Sequence, residues 1–122
     1  MIEDDLRDII AENLPGVAVY SRMIPIDLPE CVCVQEIGGS YVLGGIHRAR
    51  QTITVLAVST CKATAENRLR EARDALITHI PATVGSTHYY TAKSLADGSL
   101  KKKAARGPAY IEFVDMEVVA SL

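Results

Sequence analysis

Residues 46–59 read IHRARQTITVLAVS, and residues 60–80 follow at once with TCKATAENRLREARDALITHI. In the first stretch His47, Ala49, Gln51, Ile53, Val55 and Ala57 take one face of an alternating pattern. Arg48, Arg50, Thr52, Thr54, Leu56 and Val58 take the other. Its first half is polar and its second half is apolar on both faces. This predicts the longest strand of the fold, beginning as a projecting hairpin arm and ending inside the core. In the second stretch Ala65, Leu69, Ala72, Leu76 and Ile80 fall on one helical stripe, with Glu66, Arg70, Arg73 and Asp74 away from it. Thr60 or Thr64 is placed to cap this helix, Glu66 and Arg70 form an i, i+4 pair, and Pro81 ends it.

Upstream, residues 2–13 form an amphipathic helix on Ile2, Leu6, Ile9, Ile10 and Leu14. Glu3, Asp4 and Asp5 stand at its positive end, and Pro15-Gly16 stops it. Residues 17–20 read as a short strand, 23–29 as an extended connector bearing Pro25 and Pro29, and 31–37 (CVCVQEI) as a second strand. Tyr41, Val42 and Leu43 lie between Gly38-Gly39 and Gly44-Gly45 and are expected to form a flexible tip with exposed apolar groups. Downstream, 87–95 is a strand, 96–108 (ADGSLKKKAARGP) a polar basic loop, and 109–120 a closing strand. In that last strand Ile111 and Phe113 share one face and Val114, Met116 and Val118 the other, so a bulge is expected near Phe113-Val114. The order is α-β-β-β-α-β-β. It predicts a single α+β domain over 1–122, a mainly antiparallel sheet with both helices packed on one face.

With 122 residues, 48% hydrophobic and 23% charged, the chain supplies one ordinary core. No apolar run approaches the ~20 residues of a membrane span. The acidic start lacks the form of a secretion signal, so a cytoplasmic chain is expected. The net charge of −2 hides a division: about −6 over 1–36, about +7 over 37–108 and about −3 over 109–122. Opposite charge in separate blocks suits a protein that meets copies of itself, unless folding brings the blocks together and the fields cancel.

Little in the sequence points to chemistry. Cys31 and Cys33 share a strand face, but the second cysteine pair of a structural zinc site is lacking, and His47, His79 and His88 add no ligand spacing. A β-rich CVCV run is a poor niche for a nucleophilic thiol. Asp115 and Glu117 share a face, as an acid–base pair would, and as the solvent side of a half-buried strand does. Phosphate-binding and dinucleotide-binding loops and the nucleophile elbow have no match. The expectation is no enzyme, no cofactor and no metal. Lys101, Lys102, Lys103 and Arg106 form the one basic run, a contact for phosphate or an acidic partner or else a solvated loop.

Taken together, the order of elements resembles the tail terminator, or tail completion, proteins of long-tailed bacteriophages and prophages. The resemblance lies in the acidic helix ending Leu14-Pro15-Gly16, the Gly-rich tip at 38–45 and the strand Arg48-Ala-Arg50 running into hydrophobics. The helix around Ala65, Leu69, Ala72 and Leu76 and the final run Tyr110-Ile-Glu-Phe-Val complete it. It implies a ring of six subunits that caps the tail tube, ends its polymerisation and offers its other face to the head connector or stopper. DNA would pass through the ring without sequence-specific binding, and the protein would reside in the virion after assembly in the host cytoplasm. Six globules about 35 Å across leave a hole roughly 30 Å wide, enough for duplex DNA.

In that setting Arg48 and Arg50 are expected to pair with a neighbour's Asp27 or Glu30, and Tyr41, Val42 and Leu43 to order on docking. Three other readings stay open. One is a different phage neck or connector protein. Another is a nucleic-acid module using the 101–106 run, with steeply salt-dependent binding. The third is a small enzyme using Cys33 or Cys61.

Overall fold

The chain begins with helix α1 (Ile2–Asn13), whose Leu6, Ile9 and Ile10 are buried. The computed structural model describes residues 2–22, 30–36, 41–43, 48–104 and 107–121. After Leu14 the chain reverses at Gly16, whose φ of +82° is one that glycine alone adopts freely. It then enters β1 (Val19–Ser21), β2 (Cys31–Glu36), β3 (Tyr41–Leu43) and β4 (Arg48–Ser59). Helix α2 (Lys62–His79) crosses back, and β5 (Ala82–Val84), β6 (Thr87–Ala104) and β7 (Gly107–Ser121) finish the fold. Gly85, with φ +59°, opens the two-residue turn between Val84 and Thr87, where a primed hairpin turn calls for a positive φ.

The seven strands form one sheet in the order β1-β2-β4-β7-β6-β5, with β3 paired to the first residues of β4. Among the described residues only β1 and β2 run parallel, and the other pairs are antiparallel. The α+β class, the antiparallel character and the packing of both helices on one sheet face agree with the sequence reading. The core lies between that face and the helices. Leu6 and Ile10 of α1 and Ala72 and Leu76 of α2 pack with Val32, Val34, Ile53, Val55, Val114, Met116 and Val118. Fully burying a side chain such as Leu6 or Met116 is worth about 1.5–3 kcal/mol.

Five expectations need correction. Residues 96–104 are not loop but the second half of β6, which at 18 residues is longer than the 12-residue β4. Asp97-Gly98-Ser99 and the lysines have turn and loop chemistry, yet β7 offers them a continuous partner from Asp97↔Val114 to Ala104↔Gly107, and pairing overrides local preference. Tyr41–Leu43 is a strand, in register with Arg48, Ala49 and Arg50, rather than a flexible tip. Strand β5, too short to show a pattern, was not foreseen.

The bulge expected in the last strand is absent from its ladder with β4, which is unbroken from Arg48↔Ser121 to Ser59↔Tyr110. The irregularities lie in β6, at Tyr89/Thr91 and Ser94/Ala96. At this end the helix-distal face carries an apolar cluster of its own, where Ile111 packs with Cys31, Val58 and Ala109 and Phe113 lies opposite Leu56. Finally, Cys61 takes the N-cap position of α2, in place of Thr60 or Thr64, and its side chain makes no capping hydrogen bond. The proline-bearing connector at 23–29 and the glycine pairs at 38–39 and 44–45 lie outside the described residues.

Candidate assembly surface

The helix-distal face of the sheet is divided along the strands. At one end Tyr20, Cys31, Val58, Ala109 and Ile111 form a small apolar cluster, with Leu56 and Phe113 beside it on the same face. At the other end the face is polar. Arg50 Nε lies 3.4 Å from Glu117 Oε1, and Lys93 Nζ lies 3.6 Å from the same oxygen. Thr54 Oγ1 donates to Asp115 Oδ1 at 2.7 Å. The Arg48 guanidinium carbon stands 3.8 Å from the centre of the Tyr90 ring, which packs edge-on to His88. So of Asp115 and Glu117, the one acid–base pair the sequence offered, Asp115 accepts a hydrogen bond from a threonine and Glu117 is ion-paired with two cations.

Arg48 and Arg50 therefore occupy one end of the sheet together with β3, and each has a partner within the chain. Glu30 is elsewhere, where β4 turns into α2. Its Oε1 accepts hydrogen bonds from Ser59 Oγ at 3.0 Å, Thr60 N at 3.1 Å and Thr60 Oγ1 at 3.1 Å, and its Oε2 accepts one from Arg68 Nη1 at 2.6 Å. Partial burial pushes the Glu30 carboxyl up, but these donors outweigh it and hold the group below the ordinary glutamate range. Glu30 thus ties β2, β4 and α2 together inside one chain. Asp27 lies outside the described residues.

Much of the N-terminal acidity is likewise spent internally. Ser21 Oγ donates to Asp4 Oδ1 at 2.6 Å, Arg22 Nη2 to Asp4 Oδ2 at 2.8 Å, and the Tyr89 hydroxyl to Asp5. The Ser21 bond leads in lowering the Asp4 carboxyl; desolvation opposes it, and the charges of Arg22 and Arg7 add to the lowering, which wins. Arg22 holds a left-handed backbone (φ +71°) while its N–H donates to Val34 O at 2.8 Å.

Lys101, Lys102 and Lys103 lie on β6 opposite Tyr110, Ala109 and Pro108; Arg106 lies outside the described residues. At the foot of this hairpin, between it and α2, is an open groove of about 360 Å³ lined by Glu66, Arg70, Arg73, Asp97, Ser99 and Glu112. Arg70 Nη2 donates to Asn67 Oδ1 at 2.9 Å, the contact it makes where a bond to Glu66 was expected, and Arg73 Nε to Asp74 Oδ1 at 3.4 Å. Glu112 is 7% exposed, and its Oε1 has no hydrogen-bond partner among the described residues. Burial pushes this carboxyl up, the charge of Glu66 pushes it further, and Lys62 pulls partly back. The sequence reading passed over Glu112. The signal was its parity: it shares the even phase of Val114, Met116 and Val118, the phase that faces the helices.

Cys31 and Cys33 are buried, and burial pushes the Cys33 thiol up to about 11. Cys61 is exposed, and Thr64 and the Ala63 N–H hold its thiol below the usual value. Among the described residues no group of three or more His, Cys, Asp or Glu side chains is placed to hold a metal ion, and no helix is long and apolar enough to cross a membrane.

These elements define an α+β domain with one uneven face and one long hairpin. The same fold occurs in a chain of the virion of a native gene transfer agent particle, at a TM-score of 0.68 and 16% identity, with 98% of this chain and 95% of that chain covered. A second solved chain is similar at a TM-score of 0.52 and 12% identity over 96% of this chain and 89% of its own. No protein-family profile matches the sequence. No curated protein matches it either.

Proposed function

We propose that this protein is a structural component of a phage-like virion, that it forms a ring, of six subunits, capping the tail tube, and that it joins the tail to the head connector or stopper. The observation that carries the reading is the shared fold with a gene transfer agent virion chain over nearly the full length of both. In this reading the role is structural: on the helix-distal face Arg50, Lys93 and Glu117 are engaged as ion pairs and Thr54 and Asp115 as a hydrogen bond, as in a scaffold.

Within this reading the end of the sheet that carries Arg48, Arg50 and β3 meets the tube or the connector, and Tyr41–Leu43 supplies the strand that docks. This differs from a pairing of the arginines with a neighbour's Glu30, because the Glu30 oxygens already serve Ser59, Thr60 and Arg68. The test is polymerisation of the cognate tube protein with and without this chain, followed by electron microscopy. Capping predicts tubes that stop growing, each with a ring at one end. Binding to DNA-filled heads without any effect on tubes would instead assign the protein to the head side of the neck.

A further inference from the structure

Strand β6 is 18 residues long, and β5 covers its outer side only from Thr87 to Tyr89. Beyond Tyr89 no strand among the described residues pairs with that side. Side chains there stand open: Thr91, residues 93–97 and Ser99 are all exposed. An open strand edge presents a row of unpaired N–H and C=O groups, a template on which another chain can form a strand.

This edge is not uniform. Its first part is blunted by Lys93 and by the irregularity between Ser94 and Ala96, two devices that discourage strand addition. From Ala96 onward the ladder with β7 is regular. There the edge also gains a second wall, because Glu66, Arg70 and Arg73 of α2 line one open groove of about 360 Å³ with Asp97 and Ser99 of β6. A helix flank beside a regular, open strand edge is a setting in which an extended peptide adds as a further strand. Main-chain hydrogen bonds then supply affinity, and alternate side chains supply specificity.

The charges decide the kind of peptide. On α2, Glu66 and Arg70 are of opposite sign and Arg73 is bonded to Asp74, so the helix wall is close to neutral. On β6, Asp97 is exposed and has no hydrogen bond or ion pair among the described residues. Asp97 and Ser99 share the side of the strand that lines the groove. A residue of an added strand opposite Asp97 therefore points to the same side, about 5 Å away, where a cation matches it. The chain's own short strands do not supply one, since Val19–Ser21, Tyr41–Leu43 and Ala82–Val84 contain neither lysine nor arginine. We propose that the outer edge of β6 from Ala96 to Ser99 binds an extended segment of a different protein, which adds as a strand and places a lysine or arginine opposite Asp97. This goes beyond the ring reading, and its test is independent of tube length.

The probes are two peptides, acetyl-TVKVT-amide and acetyl-TVEVT-amide, and a form of the first with N-methyl groups on alternate amides. Binding is read from the amide shifts of residues 96–99 in heteronuclear NMR spectra of the whole chain. The lysine peptide is expected to move those amides, and the glutamate peptide to bind about threefold more weakly or worse. N-methylation keeps the charge and removes main-chain donors, so it should weaken binding about tenfold. Asp97→Asn should lower affinity for the lysine peptide about threefold, and Asp97→Lys should turn the preference toward the glutamate peptide, each with a native circular dichroism spectrum. The N-methyl comparison uses the wild-type chain alone and stands whatever either substitution does to the fold. Amides at 96–99 that do not move, an N-methylated peptide that binds as well as its parent, or equal binding of the two charges overturns the proposal. So does movement of these amides with protein concentration alone, which would mean that a second copy occupies the edge.

Discussion

Glu30→Ala decides whether this residue serves the fold or a neighbour. The substitution removes the acceptor of the Ser59 hydroxyl, which is buried, and worth about 1 kcal/mol when left without its partner. It also removes the partner of Arg68. That ion pair is 2.6 Å long, but the Glu30 side chain is 39% exposed, so solvent screening leaves it worth about 0.5–1 kcal/mol. Thr60 is exposed, and water replaces most of what its two bonds contribute. The sum is about 2 kcal/mol, or roughly 6–10 °C in melting temperature for a domain of this size. Glu30→Gln, which keeps Oε1 as an acceptor and loses only the charge, should cost about half as much.

The assay is urea unfolding of the monomer at low protein concentration. It should be repeated down in pH, because a carboxyl held below its unfolded value stabilises only while ionised. The advantage of wild type over Glu30→Gln is thus full above the ordinary glutamate value of 4.5 and fades as pH falls through the lower folded one. An alanine variant that unfolds at the wild-type midpoint would refute the reasoning and return Glu30 to the pool of residues free to meet another subunit.

Other contacts in the molecule give further expected outcomes. A Cβ at Gly98 would stand 2.6 Å from Phe113 Cζ, so Gly98→Ala should cost about 1–2 kcal/mol in urea unfolding, and most of that loss should vanish in the background of Phe113→Ala. Cys61 should be alkylated by iodoacetamide in the native protein while Cys31 and Cys33 react only on unfolding, as mass-mapped peptides would report. Glu112→Gln should raise stability at pH 7. The native carboxyl binds its proton more tightly than the unfolded one, so the wild-type penalty develops as pH rises from 4.5 through the folded value. The two proteins should converge at about pH 4 in parallel melts. Removal of residues 40–43 should leave a cooperative melt, since β3 pairs only with the first residues of β4.

The helices were legible because their signal is local: Leu6, Ile10, Leu69, Ala72 and Leu76 repeat at helical spacing and are the residues buried. β4 was legible for the same reason, since its shift from polar to apolar marks its entry into the core. The second half of β6 was not. Nothing within residues 96–104 favours a strand; the cause is β7, a partner that follows in sequence but whose register a local pattern does not contain. The phase change in β7 was misread because the helix-distal face carries its own apolar cluster at that end, so Ile111 and Phe113 are apolar on one face and Val114 and Met116 on the other without a bulge. At the candidate surface the basic run was visible and Glu112 was not, because an isolated acid looks the same in a solvated strand and in a buried one. Arg48 and Arg50 stood out as charges, while Tyr90 and Glu117, which receive them, are 42 and 67 residues away in the chain.

The central position of β7 governs when this protein comes into being during synthesis. β7 is the bridge between two groups of strands, β1-β2-β4 on one side and β6-β5 on the other, and residues 48–59, paired with β2 and β3 on one edge, find the partner for their other edge in 110–121. The first helix is bound in turn to β6, through Asp5 and Tyr89, 84 residues apart. Until the ribosome has released the final strand, the sheet exists as two unjoined fragments with bare edges, and contacts of such long sequence separation form slowly. A nascent chain thus has no complete sheet, and neither face of it exists as a continuous surface, until β7 has been made.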